Sequence, residues 1–171
     1  MERLTGVVSY GPVTKDELAA VAVLETAAFP PPVYPVFFFR QAFDLWPALF
    51  WVARRDKQIL AYLICAAEFA DPSRLSLMSF AVAPQAQGQG VGKALLRAFL
   101  DELPLVAPGV RHIWLTADPD NLPALRLYQQ HGFVISAEEP DYYGADYRRL
   151  VMTVEMTAKN GGKKPGSWQK N

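Results

Sequence analysis

The sequence predicts a single α/β (α+β) domain, in which short β-type runs alternate with helical patterns. A chain of 171 residues, of which 51% are hydrophobic, is most simply one domain with a core of its own. The clearest observation is a β-type run over 75–82 that leads through a glycine-rich loop into a helical apolar pattern over 91–103. After one further strand, a short helix over 121–132 is bounded by a capping Asn and a terminating Gly.

The remaining elements follow from periodicity, caps and turns. A capping box at 14–17 predicts a helix to about Phe29, and Pro35 can start a second helix. We predict strands at 7–10, 50–55, 59–68, 75–82, 110–117, 133–137 and 147–156, and helices at 14–29, 36–45, 91–103 and 121–132. The run 103–109, which contains two prolines, is predicted to end the third helix. Residues 1–157 form the predicted domain, and the Lys- and Gly-rich residues 158–171 a flexible tail.

Charge and cysteine usage exclude several classes of protein. Lys plus Arg and Asp plus Glu both number 17, and no basic stripe that could bind nucleic acid is visible. The single cysteine, Cys65, lies in an apolar run, which favours a buried thiol in a reducing compartment. No run is long and apolar enough for a membrane span. We therefore expect a cytoplasmic monomer or homodimer without metal, nucleic acid or membrane partners.

Three glycines at alternate positions follow the strand at 75–82. Gly88, Gly90 and Gly92 permit positive φ and close approach, and free N–H groups at a helix start bind anions. The loop does not fit the Walker A pattern, because Gln87 and Ala94 stand where glycine and Ser/Thr are needed. The dinucleotide pattern G-x-G-x-x-G fails as well. The loop therefore predicts a phosphate or pyrophosphate site of another type.

Two motifs together resemble the GNAT superfamily of N-acetyltransferases. The loop matches the superfamily's acetyl-CoA pattern Gln/Arg-x-x-Gly-x-Gly/Ala at Gln87, Gly90 and Gly92. One strand later the chain carries the second motif of the superfamily, Asn-x-x-Ala-x-x-Leu-Tyr-x-x-x-Gly-Phe. It stands here as Asn121, Ala124, Leu127, Tyr128, Gly132 and Phe133.

The resemblance implies a GNAT fold, with a mixed, strongly bent, six- to seven-stranded sheet and helices on both faces. Its splayed central strands, expected at 75–82 and 110–117, hold acetyl-CoA in the cleft between them. Asn121 is expected to contact the arm of the cofactor, and the backbone of Phe80, Ala81 and Val82 to pair with its pantetheine. The pyrophosphate is expected on the N–H groups of Gln87, Gly88, Gln89, Gly90, Val91, Gly92 and Lys93.

The implied reaction is direct attack of a primary amine on the acetyl thioester in a ternary complex. The amine must be neutral to attack, which is easier for an α-amine of pKa about 7.7–8.0 than for lysine at about 10.4. By its place in the motif, Tyr128 is the predicted catalytic residue, which lies by the sulfur and donates a proton to the leaving thiolate. Backbone N–H groups at a bulged strand end near 80–82 could polarise the thioester carbonyl.

The branch most similar to this chain is that of the bacterial ribosomal-protein N-terminal acetyltransferases. The aromatic stretch 29–39 and the pair of tyrosines before the last strand resemble that branch's peptide-contacting loops. On that basis we predict an acceptor site of Phe29, Tyr34, Phe38, Tyr142 and Tyr143; core packing and plain surface positions are the alternatives for these side chains.

Thr116 stands where that branch has its glutamate base, so the base is open among Asp118, Glu68, Glu138 and His112. The acceptor is therefore a peptide or protein α-amine or a small amine, such as a polyamine, amino acid, aminoglycoside or aryl-alkylamine. A non-catalytic acyl-CoA-binding module is the alternative from another class.

Overall fold

A computed structural model describes residues 6–156, which form one seven-stranded sheet with helices on both faces. The predicted tail, 158–171, lies outside the described residues. The strands are β1 Ser9–Pro12, β2 Phe50–Arg55, β3 Gln58–Ala67, β4 Arg74–Val82, β5 His112–Ala117, β6 Val134–Glu139 and β7 Arg149–Glu155. The helices are α1 Leu18–Ala28, α2 Val36–Leu45, α3 Val91–Val106 and α4 Leu122–Gln130. Every predicted element is present, with ends that differ by a few residues.

The sheet order is β1-β2-β3-β4-β5-β7-β6, and the one parallel pair in the described chain is β4 with β5 at its centre. These two strands pair only from Arg74↔His112 to Ser76↔Trp114. Beyond Ser76 the strands continue to Val82 and Ala117 without pairing to each other, so they open into a cleft. The predicted splay of the central strands is confirmed.

Neighbouring residues of β2 show how the helices divide between the faces. Successive side chains of a strand point to opposite faces of the sheet, so Phe50 lies on one face and Trp51 on the other. Phe50 packs against Phe39 of α2 at a ring distance of 6.4 Å, and Trp51 against Phe99 of α3 at 5.8 Å. The α1–α2 pair therefore covers one face of the sheet and α3 covers the other, as expected.

The third helix ends within 103–109, as predicted. It runs through Pro104 to Val106, and the Ala107 N–H donates to Leu103 O at 2.8 Å. A proline this close to a helix end removes one hydrogen bond and does not stop the last turn.

The expected position of the bulge in β4 was wrong. The bulge lies at Met78, where the register with β3 shifts, and not at 80–82, whose residues pair regularly with β3.

Candidate active site

The free edge of β4 forms one wall of the cleft. The Ala83 N–H donates to Leu60 O at 2.8 Å, and backbone groups in an antiparallel pair alternate in direction. By this alternation the N–H and C=O of Ala81 face β3, whereas those of Phe80 and Val82 face the cleft. Of the three residues predicted to pair with a ligand's arm, Phe80 and Val82 thus present backbone groups to it.

The glycine loop leaves a row of backbone N–H groups without partners. Gly88 and Gly90 have φ of 72° and 77°, a region that glycine enters without strain. Within residues 6–156, the N–H groups from Gly88 to Lys93 donate no hydrogen bond to a group outside α3. The first amide of α3 with a carbonyl partner in the loop is that of Ala94, which donates to Gly90 O at 3.0 Å. Free amides at the positive end of a 16-residue helix form an anion site.

Gly92 has a different role in the loop, because close packing, and not a positive φ, requires glycine at this position. A Cβ on Gly92 would lie 2.9 Å from Val82 Cγ2 and 3.4 Å from Phe80 Cζ. At Gly88 and Gly90 a Cβ would meet nothing within 4 Å. The start of α3 therefore lies directly against β4, while the other two glycines leave open space above the loop.

The glutamines of the loop are engaged within the chain. The Gln87 N–H donates to Pro84 O at 3.3 Å, so this amide is not free, unlike the six that follow it. The Gln87 side chain donates to Val82 O at 3.2 Å, and Gln89 Nε2 donates to Gln85 O at 2.7 Å. These bonds tie the loop to the end of β4. Val91 is buried beneath the loop and the side chain of Lys93 is exposed.

Helix α4 places Tyr128 beside β4. Asn121 Oδ1 accepts from the Ala124 N–H at 3.2 Å, which confirms the predicted cap and leaves the side-chain NH2 group of Asn121 available. Tyr128 is 7% exposed and lies 6.3 Å from the Phe80 ring. Burial raises the pKa of its hydroxyl above the usual range, and the charge of Arg149 opposes this. The hydroxyl is therefore held protonated.

Aromatic side chains from two distant loops meet near Tyr128. Tyr34, between α1 and α2, stacks on Phe38 at 4.1 Å, and Tyr142 lies edge-on to Tyr143 at 4.8 Å. Burial raises the pKa of Tyr34, and Tyr143 and Tyr142 are among the neighbours that add to this, so the two loops lie close together. Phe29 is 37% exposed and stacks on none of these rings, so four of the five predicted acceptor residues form the cluster.

Arg149 lies among these tyrosines and was not identified from the sequence. Its Nη2 donates to Thr116 O at 3.1 Å and its Nε to Thr116 Oγ1 at 3.4 Å, and its guanidinium carbon lies 5.5 Å from the centre of the Tyr143 ring. Its charge lowers the pKa of Tyr34, Tyr128 and Tyr142, against the rise that burial causes. No pattern in the sequence distinguishes Arg149 from Arg148.

Glu25 is a second residue that sequence reasoning missed. It is 3% exposed, accepts the Tyr34 N–H at 3.1 Å with Oε1, and accepts the Tyr62 hydroxyl with Oε2. The Tyr62 hydroxyl also bonds to Ser79 Oγ at 2.7 Å, next to the bulge at Met78. Glu25 thus fastens the Tyr34 loop to the sheet. A signal was present, since Glu25 is the one charged residue of α1.

The structure separates the four residues among which the base was left open. Glu68, which accepts from Trp114 Nε1, lies with His112 at the paired end of β4 and β5, away from the splay. Glu138 is 51% exposed and paired with Arg148 at 3.2 Å.

Asp118 lines a cavity of about 250 Å³ beside the tyrosines. The other lining residues are Pro119, Asp120, Tyr143, Asp146, Tyr147, Arg148 and Arg149. Asp118 is therefore the candidate that lies nearest the aromatic cluster.

Residues 6–156 contain neither a candidate metal centre nor a helix that could span a membrane. No three His, Cys, Asp or Glu side chains gather there in an arrangement that could hold a metal ion. None of the helices in the same range combines the length and apolarity that crossing a membrane requires.

A splayed parallel strand pair, a row of free amides after one strand and a protonated tyrosine beside it define the site of an acyl-CoA-dependent transferase. The model of the acetyltransferase (GNAT) family matches residues 16–133. The chain belongs to this family, and it is an N-acetyltransferase.

Three similar proteins represent the relatives. The [ribosomal protein bS18]-alanine N-acetyltransferase of Escherichia coli is 38% identical over 68 residues, which cover 40% of this chain and 45% of that protein. An N-alpha-acetyltransferase of Sulfurisphaera tokodaii is 30% identical over 60% of this chain and 66% of its own length. Arabidopsis thaliana Naa50, solved with a bisubstrate analogue CoA-Ac-MVNAL, superposes with a TM-score of 0.72 at 22% identity, over 86% of this chain and 97% of that one. The last likeness is one of fold.

Proposed function

We propose that this chain acetylates the α-amino group of a peptide or protein. The observation that carries the proposal is the convergence of Tyr34, Tyr142 and Tyr143, from loops far apart in the chain, around Arg149, whose charge also acts on Tyr128. Hydroxyl-bearing rings can hold the backbone of a short extended segment through hydrogen bonds and apolar contact. The similar proteins from E. coli and S. tokodaii bear names of the same activity.

The donor half of the site fits acetyl-CoA. Amides of 88–93 suit its pyrophosphate, and the cleft-facing backbone groups of Phe80 and the N–H of Val82 suit the amide-containing pantetheine. The open space above Gly88 and Gly90 leaves room for the phosphates to approach the backbone. When bound, acetyl-CoA supplies an activated acetyl group and a thiol leaving group.

Proton movement is assigned to Tyr128 and to solvent. The raised pKa of Tyr128 keeps its hydroxyl protonated, so that this residue donates a proton to the departing sulfur. An α-amine of pKa about 7.7–8.0 is partly neutral near pH 7.4 and does not require a strong base. This agrees with the presence of Thr116, and not a glutamate, at the position on β5 where the similar branch has its base.

The test measures thiol release from acetyl-CoA with three matched sets of acceptors. The first holds peptides with a free α-amine, the second the same peptides blocked at that amine but carrying lysine, and the third free small amines. We expect turnover with the first set. Turnover with the third set alone overturns the proposal, as does an enzyme that binds acetyl-CoA but acetylates none of them.

Acidic side chains favour a second candidate function. Asp118, Asp120 and Asp146 line the 250 Å³ cavity and would attract a small polycation. A polyamine in the third set tests this candidate, since a polyamine acetyltransferase should lose activity when Asp118→Asn and Asp146→Asn are combined.

A further inference from the structure

Arg149 is a half-buried arginine that forms no ion pair with a carboxylate in residues 6–156. Five of the nine described arginines do form such pairs, namely Arg40–Asp44, Arg54–Glu17, Arg74–Glu68, Arg97–Asp101 and Arg148–Glu138. Of the other unpaired arginines, Arg111 and Arg126 are exposed, and Arg55 donates to Gln58 Oε1 at 2.9 Å. Arg149 is therefore the half-buried unpaired arginine that lies among the tyrosines.

The contacts of Arg149 do not compensate its charge. It donates to the carbonyl and the hydroxyl of Thr116 and lies over the face of Tyr143, and all three groups are neutral. A guanidinium has five N–H donors, so more than half remain for another partner. Because Arg149 is only half-buried and lines the cavity, its remaining donors are accessible to a bound anion.

The guanidinium is also placed where an acceptor would bind. It lines the 250 Å³ cavity with Tyr143 and Asp118, and its charge is felt by the hydroxyls of Tyr34, Tyr128 and Tyr142. The charge of Arg149 thus acts both on Tyr128 and on the tyrosines of the acceptor cluster. The cavity has room for about one amino-acid side chain and its backbone.

We propose that Arg149 binds a carboxylate of the acceptor, so that the preferred acceptor carries an acidic group within a few atoms of its reacting amine. This inference rests on the proposed function and names its substrate class. A planar guanidinium and a carboxylate can form two parallel hydrogen bonds, which fix the orientation of the acceptor. The aspartates of the same cavity suit the ammonium end of such an acceptor. An N-terminal Asp or Glu of a peptide and the α-carboxylate of a free amino acid both satisfy this chemistry.

The test compares kcat/KM for peptides that differ only in Asp against Asn, or Glu against Gln, at the first or the second position. We expect the wild-type enzyme to prefer the acidic member at one position by about tenfold or more, since a hydrogen bond to a charged group has that effect on binding. Arg149→Gln should reduce the ratio of the two kcat/KM values to about one, by lowering kcat/KM for the acidic peptide. Arg149→Lys should retain part of the preference.

Arg97→Gln is the control, because it removes the same charge from an exposed side chain of α3 that is paired with Asp101 and does not line the cavity. Its Asp-to-Asn ratio should stay within about twofold of the wild type. A wild-type ratio of one or less overturns the inference. So does an Arg149→Gln enzyme that slows both peptides equally with an unchanged thermal midpoint, since that result assigns a positioning role. Free aspartate and alanine in the same assay show whether the carboxylate comes from a peptide side chain or an amino acid.

A binding measurement keeps this inference separate from the proposed function. Titration calorimetry with the CoA-loaded protein gives the Kd of the Asp and Asn peptides without any turnover. If no α-amine is acetylated, the proposed function fails, and an Arg149-dependent preference for the acidic peptide still supports the inference. Equal Kd values for the two peptides overturn it.

Discussion

The two halves of the cleft are built in different ways. The donor half is made of backbone, namely the free amides of 88–93 and the unpaired edge of β4, within one continuous stretch of chain. The acceptor half is made of side chains from distant parts of the sequence: Tyr34 from the loop after α1, Tyr142 and Tyr143 from the loop after β6, and Arg149 from the start of β7.

This difference separates the reaction class from its specificity. A backbone site depends on glycine spacing and on where a strand loses its partner, so other side chains can change without altering it. A side-chain site changes with each substitution in either loop. The donor half therefore determines which group is transferred and the acceptor half which amine receives it, and variants should affect one half without the other.

The largest effect should come from Tyr128→Phe, since Tyr128 lies between the halves. Removal of a general acid typically slows a reaction by about 100-fold or more. We expect kcat to fall by about that factor, while the KM values for acetyl-CoA and acceptor change little, because a single hydroxyl is lost from a packed ring. Steady-state kinetics with both substrates varied makes the measurement. If kcat stayed unchanged and the KM of only one substrate rose, Tyr128 would belong only to the half that binds that substrate.

Gly92→Ala should impair the donor half alone. The new Cβ would lie 2.9 Å from Val82 Cγ2, so α3 must shift from β4, at a cost of about 1–3 kcal/mol. We expect the Kd for acetyl-CoA to rise about tenfold with the KM of the acceptor unchanged. Gly109→Ala is the control, because its Cβ would meet nothing within 4 Å. Equal Kd values for the two variants would contradict a packing role for Gly92.

The same division explains what could be predicted from the sequence. The glycine loop, the Asn121 cap and the splayed strands were predictable because they depend on local spacing and matched motifs. Arg149 and Glu25 were not, since their roles arise from partners in other elements, Thr116 for one and Tyr62 for the other. The predicted site of the bulge was wrong because a register shift between two strands depends on their pairing and leaves no local pattern in the sequence.

Glu25→Leu should impair the acceptor half alone. The change leaves the Tyr34 N–H without its acceptor, at about 1–3 kcal/mol for the unsatisfied group, and leaves the Tyr62 hydroxyl bonded to Ser79 Oγ alone. We expect a lower free energy of unfolding in urea and a KM for the peptide that rises several-fold, with the Kd for acetyl-CoA unchanged. Thr26→Ala, an exposed position on the same helix, should change neither value. A higher Kd for acetyl-CoA in Glu25→Leu would show that the halves are coupled.

The smallest effect should be a stability loss at alkaline pH that both sides of the cleft share. Burial raises the pKa of Tyr62 and Tyr128 above 10.0, and that of Cys65 above 9.0. Above about pH 9–10 the unfolded chain releases these protons while the folded chain keeps them, so the free energy of unfolding is constant below this range and falls above it.

Each such group contributes a slope of about 1.4 kcal/mol per pH unit, which urea unfolding at about pH 8 and about pH 10.5 can resolve. Tyr62→Phe should remove one group's share of the slope and leave the rest to Tyr128 and Cys65. An unchanged slope in that variant would mean that Tyr62 ionises in the folded protein. In that case the contact between Glu25 and Tyr62 would not persist at high pH, and the Tyr34 loop would be released from the sheet before the donor half unfolds.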